Sequence, residues 1–467
     1  MIVGVSIILV VGVAIGVVST VHRNHNDNET LSLKLKAVSN FCSFTHYRES
    51  CHKTLSSVNS TDPKEFISKA ILAAKEAVKK FFNYSDSLLV QVKNNNLTKM
   101  ALNDCKDMMD YAVDSLQASY SDVGDSELRN INDHKNDLRN WLSVVISYQQ
   151  SCLNGFEHDN NMKETMQKGI IDAHELTGNA LTITTKLSDI LSKFGIQLNN
   201  TNSHRLHFIE KNVYPSWFSV KDRHLLARID NSNLKPNVVV AKDGSGQFKT
   251  IAAIGNEFIA KSMGFQNTAS PEKIDAYQDT LCNQANCQFF RNCVISGTID
   301  FIFGNSPTVI QNSLIIVRRP MDNQFNTVTA QGKDFIDENT GTVIQNYKIV
   351  PEQKLFNDRF KIATYLDRPW KKFSTTIIME SILGDFIKPE RWIHFEGPDK
   401  VNYEETLYYV EYNNRGPGAN LNVRVNWKGY HKIDRVTAMQ FTIQSFLLSK
   451  ENWLPLIGVS FTTALRY

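Results

Sequence analysis

The sequence predicts two domains, an all-α four-helix bundle followed by an all-β solenoid of stacked strands. Three observations carry that prediction. The first half shows apolar residues at helical spacing, the second half repeats short words at intervals of 20 to 34 residues, and 467 residues suffice for two domains and a leader. The expected layout is a leader over 1–22, a bundle over 31–200, a linker over 201–235 and a solenoid over 236–467.

Residues 2–21 carry no charge and are long enough to span a bilayer. Ahead of a polar stretch, such a run reads as a signal peptide or signal anchor. Nothing basic precedes it and Arg23 follows, so charge does not set its orientation. Five Asn-x-Ser/Thr sequons, at Asn28, Asn59, Asn83, Asn96 and Asn199, agree with passage through a secretory compartment.

Within the bundle, Ile67, Ile71, Ala74, Val78 and Phe81 step by four, three, four and three, giving one apolar stripe. Segments 98–118, 132–151 and 160–194 behave alike, completing four helices. Cys42, Cys51, Cys105 and Cys152 fall in this half, and in an oxidising compartment they predict two disulfides with three pairings open. His46, His52 and His174 read as scattered surface or bundle residues, not ligands.

In the second half, Phe265-Gln-Asn267, Phe290-Arg-Asn292, Ile310-Gln-Asn312 and Ile344-Gln-Asn346 share one pattern. The last three continue with Ile295, Ile315 and Ile349, each three residues after the Asn. Short β-branched runs at such intervals predict stacked coils, with the asparagines forming a side-chain ladder at the bends.

One charge stands out. The run Ile295-Ser-Gly-Thr-Ile-Asp-Phe-Ile-Phe-Gly304 reads as a strand covered on both faces, with Asp300 in its middle. Burying a carboxylate is costly unless it is paired or used. Asp279 precedes Asp300 by 21 residues, about one coil, so the two should be neighbours on strands ~4.8 Å apart. Two such groups do not both ionise cheaply, which yields a proton donor beside a carboxylate nucleophile. Arg368, in Tyr365-Leu-Asp-Arg-Pro-Trp370, supplies a cation to hold Asp300 ionised, and Trp370 a flat platform for a sugar ring.

Tyr277-Gln-Asp-Thr-Leu281, Gly297-Thr-Ile-Asp-Phe-Ile-Phe-Gly304, Val328-Thr-Ala-Gln-Gly332, Arg368-Pro-Trp370 and Tyr412-Asn-Asn-Arg-Gly-Pro-Gly418 resemble the motifs of plant pectinesterases, in order from about Val238 to Trp453. The resemblance implies a right-handed parallel β-helix that removes methyl esters from the galacturonate units of pectin. It further implies Asp300 as nucleophile, Gln278 as oxyanion donor and Asp279 as general acid and then base. Arg368 would hold Asp300, and Trp370 would contact the uronate chain. No metal or organic cofactor is implied.

The segments around Cys42–Cys51, Cys105 and Cys152 resemble the pectinesterase-inhibitor domain that precedes many such enzymes. That likeness implies the pairs Cys42–Cys51 and Cys105–Cys152, and a pro-region that keeps the enzyme inactive or aids its folding. Asp222-Arg-His-Leu-Leu226 resembles the family's processing site, with His224 in place of the second basic residue, so a protease is expected to act at Arg223–Leu226.

The chain also departs from the pattern. Ala241-Lys-Asp-Gly-Ser-Gly-Gln-Phe-Lys-Thr250 runs within a few residues into Phe258-Ile-Ala-Lys-Ser-Met-Gly-Phe-Gln-Asn267, which belongs several strands later. A second gap follows Pro271-Glu-Lys273, where a further active-site glutamine is expected. The β-helix is therefore expected to be internally truncated near its start. Asp367 stands where the family has Gly, and Asn286-Cys287 replaces a basic residue.

A net charge of +3 suits an acidic polymer without requiring one. No phosphate loop, zinc-ligand spacing or nucleic-acid motif is present. The leading reading is a secreted, cell-wall pectinesterase precursor acting on methylated pectin. The alternative is an inactive pectinesterase-like protein whose bundle binds other pectinesterases. A glycosidase or lyase on the same solenoid fits these motifs less well.

Overall fold

The computed structural model describes residues 33–92, 95–128, 130–156, 158–196, 251–253, 258–261, 263–266, 278–395, 401–447, 454, 461, 462, 464 and 465. The expected leader, the sequons at Asn28 and Asn199, the linker with Arg223–Leu226 and the gap after Lys273 lie outside the described residues.

Four long helices form the N-terminal body: α1 (Pro63–Gln91), α2 (Asn96–Asp125), α3 (Lys135–Asn154) and α4 (Asn160–Thr185). Local sequence fixes their starts. Asp62 accepts from the Lys64 amide with Pro63 opening α1, Asn95 caps the Thr98 amide, and Asp159 caps the Met162 amide. The stripe Ile67, Ile71, Ala74, Val78 and Phe81 is buried in the common core. Disulfides join Cys42 to Cys51 and Cys105 to Cys152.

The second body is a stack of parallel strands with three sheet faces. Its coils are β1 (Ile251–Ala253), β2 (Phe258–Lys261), β3 (Gly264–Gln266); β4 (Leu281–Asn283), β5 (Gln288–Arg291), β6 (Val294–Gly297); β7 (Ile302–Gly304), β8 (Pro307–Gln311), β9 (Leu314–Val317); β10 (Asn326–Gln331), β11 (Gly341–Gln345), β12 (Lys348–Pro351); β13 (Thr364–Asp367), β14 (Thr375–Met379), β15 (Ile382–Leu383); and β16 (Tyr408–Tyr412), β17 (Tyr430–Lys432). Among the described residues every pairing between strands is parallel, the pattern of a parallel β-helix. Like residues stack: Ile295, Ile315 and Ile349 share one register column, and Phe290, Ile310 and Ile344 another. All six are buried inside the solenoid.

Bends repeat as the sequence suggests. Asn292, Asn312 and Asn346 all adopt left-handed φ of 53° to 55°, and Asn346 Nδ2 donates to Asn312 Oδ1 at 2.6 Å. One assignment is corrected. Phe265-Gln-Asn267 is not equivalent to Phe290-Arg-Asn292, because Phe265 pairs with Ile295 and the residue paired with Phe290 is Ala260. The interior accepts alanine here because the neighbouring ring of Phe265 fills the space against Phe290, 5.7 Å away.

The bundle docks on the solenoid through the loops that follow the first sheet face. Ser147 Oγ donates to Asn305 O at 2.7 Å and accepts from the Ala285 amide at 3.1 Å. Asn305 Nδ2 donates to Gln150 Oε1, Asn286 Nδ2 to Tyr148 Oη, and Thr182 Oγ1 to Asp337 Oδ2. Phe335 is buried against Tyr47, His46, His174 and the bare backbone of Gly178, so it belongs to the bundle's core.

Candidate active site

The site lies at the entry to the first sheet face. Gln278 bridges to Ile299 and Leu281 pairs with Ile302, both at an offset of 21 residues. Asp279 therefore sits one rung from Asp300, on strands ~4.8 Å apart. The two share an unusual backbone, with φ of 60° at Asp279 and 50° at Asp300. Here the strand reading of Asp300 is corrected. The apolar run splits into β6 and β7, and Asp300 occupies the corner between them. A left-handed residue turns the chain, and Asp tolerates that region better than most side chains.

Two further elements hold Asp300, whose side chain is only 8% exposed. Arg368, just past β13, grips it as a fork: Nε lies 2.8 Å from Oδ1 and 3.0 Å from Oδ2, and Nη2 lies 2.5 Å from Oδ2. Thr327 on β10 donates its hydroxyl to Oδ1 at 2.5 Å and accepts from the Asp300 amide at 2.9 Å. Phe325 and Phe395 place their rings 5.9 and 4.9 Å from the guanidinium. Burial works against the charge on Arg368, but its bonds to Asp300 outweigh this and hold its pKa above the ordinary value.

Trp370 lies beside the pair. Its ring meets Phe303 edge-on at 6.1 Å and rests over Gly332, where a Cβ would come within 2.6 Å of the indole. The structure thus brings Gln278, Asp279, Asp300, Arg368 and Trp370 into one region. Sequence reasoning missed Thr327, Phe325, Phe303 and Phe395. The signal for Thr327 was its place just before Val328-Thr-Ala-Gln-Gly332 on the next coil. Cys282, Cys287 and Cys293 carry no disulfide among the described residues, and burial pushes the Cys282 thiol up to about 12, so it stays protonated.

Chemically, a buried carboxylate clamped by arginine, with a second carboxylate one rung away, can attack a carbonyl and handle the proton of a leaving group. Fold and site together define a carboxylic ester hydrolase on a parallel β-helix. Residues 247–451 match the family model described as Pectinesterase, and residues 36–183 the model described as Plant invertase/pectin methylesterase inhibitor. The chain is 32% identical to "Probable pectinesterase/pectinesterase inhibitor 21" of Arabidopsis thaliana, covering 99% of this chain and 82% of the relative. It is 34% identical to "Pectinesterase 4" of Arabidopsis thaliana over 98% of both. Among solved structures it resembles "Pectin methylesterase from Carrot", at 32% identity and TM-score 0.42, over 50% of this chain and 100% of that one. The chain belongs to the pectinesterase family, in the form that joins an inhibitor-type helical domain to the β-helix. Its alignment with the first of these relatives runs over 556 positions, more than the 467 residues present here, so gaps within this chain make up the difference.

Proposed function

We propose that this chain hydrolyses methyl esters of galacturonate in pectin, giving free carboxylate and methanol. Asp300 attacks the ester carbonyl, and Gln278 donates to the oxygen that gains charge. Asp279 gives its proton to the departing methoxide, so methanol leaves and an acyl-Asp300 intermediate remains. Asp279 then takes a proton from water, the water adds to the acyl carbon, and Asp300 is released as carboxylate. Arg368 and Thr327 hold Asp300 aimed at the carbonyl, and Trp370 offers its face to a uronate ring. One observation carries this reading: the arginine-held, buried Asp300 one rung from Asp279.

We further propose that the bundle over 31–200 is a pro-region, released by cleavage at Arg223–Leu226 after a leader over 1–22 directs secretion to the cell wall. Two disulfides and exposed sequon asparagines at Asn59, Asn83 and Asn96 support an oxidising, extracellular route. Among the described residues no helix is long and apolar enough to cross a membrane. The bundle's contact surface is occupied by its own β-helix, which favours this reading over a free binder of other pectinesterases.

The test is methanol release from highly methylated pectin by the secreted chain, whole and after cleavage at a protease site engineered into 223–226. Release by the cut chain, and less by the whole one, is the expected result. Absence of methanol from both, with inhibition of a second pectinesterase by the freed bundle, would support the alternative.

A further inference from the structure

A third carboxylate lies behind the site. Asp367 is fully buried at the end of β13, paired across the ladder with Thr329 and bridged on its other side to Trp392. It has no direct ion pair among the described residues. Instead three hydroxyls converge on it: Thr329 Oγ1 and Thr376 Oγ1 on one oxygen and Tyr409 Oη on the other, with Thr376 at 2.6 Å. Ser374 lies 3.1 Å from the same tyrosine oxygen. The next residue in the chain is Arg368, the fork on Asp300. The hydroxyls come from β10, β14 and β16, so the cluster ties the strand that carries Arg368 to three others.

From this geometry we propose that Asp367 is a positioning residue: it anchors the backbone beneath Arg368 and, by its charge state, sets how much of the guanidinium's field reaches Asp300. The proposal rests on the esterase reading above and deepens it.

The groups that act on Asp367 are few. Burial and, to a smaller extent, the charge of Asp300 raise its pKa, the hydrogen bonds from Thr329, Thr376 and Tyr409 oppose them, and the balance stands at about 7. Arg368 feels Asp367 in turn, and Tyr409 is held well above its ordinary value by burial and by Asp367, so its hydroxyl remains a donor. Below neutrality Asp367 is a neutral acid and Arg368 serves Asp300 alone. Above it, a second buried negative charge draws on the same guanidinium. The tetrahedral intermediate adds negative charge at this place, so an ionised Asp367 opposes it in a medium that screens poorly. Activity should then fall as pH rises through the Asp367 transition. A carboxylate that merely filled space would leave no such step.

The experiment compares the full chain, cut in its linker, with Asp367→Asn and Thr376→Val. The first reading is kcat/KM for methanol release against pH. The wild type should lose activity through a transition near 7, carried by kcat and not by KM. Asp367→Asn should lack that step, and Thr376→Val, which removes a donor to the ionised form, should move it to higher pH. The second reading needs no turnover: the Arg368 Nε–H resonance followed by NMR over the same range. It should titrate with the same midpoint in the wild type, later in Thr376→Val, and not at all in Asp367→Asn. A wild type that releases no methanol but shows these NMR steps would sink the esterase reading and keep the coupling. Superimposable pH profiles, or an Arg368 signal without a step in the wild type, would overturn the proposal. If Asp367→Asn fails to fold, the displaced midpoint in Thr376→Val decides.

Discussion

At the scale of single residues, the site depends on groups that position others. Thr327 donates its hydroxyl to Asp300 Oδ1 and accepts a hydrogen bond from the Asp300 amide, so Thr327→Val leaves a buried carboxylate oxygen with one donor fewer. A hydrogen bond to a charged group contributes ~1.5–3 kcal/mol, so kcat for methanol release should drop about tenfold or more while the protein stays folded. An unchanged kcat would remove Thr327 from the machinery. Gly332 acts by absence: Gly332→Ala drives a methyl into the indole of Trp370, and KM for pectin should rise more than kcat falls. Much of this scale was legible. The interval of 21 residues is one coil, and by itself it places Asp279 beside Asp300. The role of Thr327 was harder to read: its place before the Val328–Gly332 word marks its coil, but its hydroxyl reaches Asp300 only through the left-handed corner, which the apolar run does not announce. Asp367 was visible only as a departure in the motif, since three hydroxyls from distant strands decide its environment.

At the scale of elements, the coils are held by columns of like residues. Asn346 combines a left-handed φ of 55° with a side-chain bond to Asn312. Asn346→Ala loses both, and the left-handed cost alone is ~1–2 kcal/mol. Asn346→Gly loses only the bond, so it should melt between wild type and Asn346→Ala. Equal melting temperatures for the two variants would show that backbone strain is unimportant there. Interior columns should be less forgiving, with Ile344→Ala costing ~2–5 kcal/mol in the dry centre of the stack. The repeated words located three coils and their register, because identical side chains at identical bends leave a trace in sequence. They misplaced Phe265, since a short apolar-Gln-Asn word also occurs one strand later in the turn. The existence of the helices was legible from apolar spacing, which is local, but their ends were not: 98–118 grows to Asn96–Asp125 and 160–194 stops at Thr185. How the bundle meets the solenoid was not, because Ser147, Gln150 and Thr182 look like ordinary polar residues until Asn305 and Asp337 stand opposite them.

At the scale of the whole molecule, bundle and β-helix share a core. Phe335→Ala removes the ring that fills the space over Gly178, at a cost of ~3–5 kcal/mol. It should split a single calorimetric transition into two, and one unaltered transition would show that the docking contributes little. The buried acids give the molecule an unusual pH response. Burial raises both Asp367 and Glu338 from ordinary values of 3.8 and 4.5. A raised acid contributes stability that is fully present below its unfolded pKa and lost as pH rises through its folded one. The part due to these two groups should therefore decline between about pH 4 and pH 7. The wild type should lose stability over that window relative to the Asp367→Asn, Glu338→Gln double variant, measured by melting temperature. The central claim is that Asp300 is the nucleophile of a pectin methyl esterase, and methanol release by linker-cut wild type and Asp300→Asn tests it most directly. The account predicts release by the wild type and a loss of about 1,000-fold or more in the folded variant; release at a comparable rate from Asp300→Asn would contradict it.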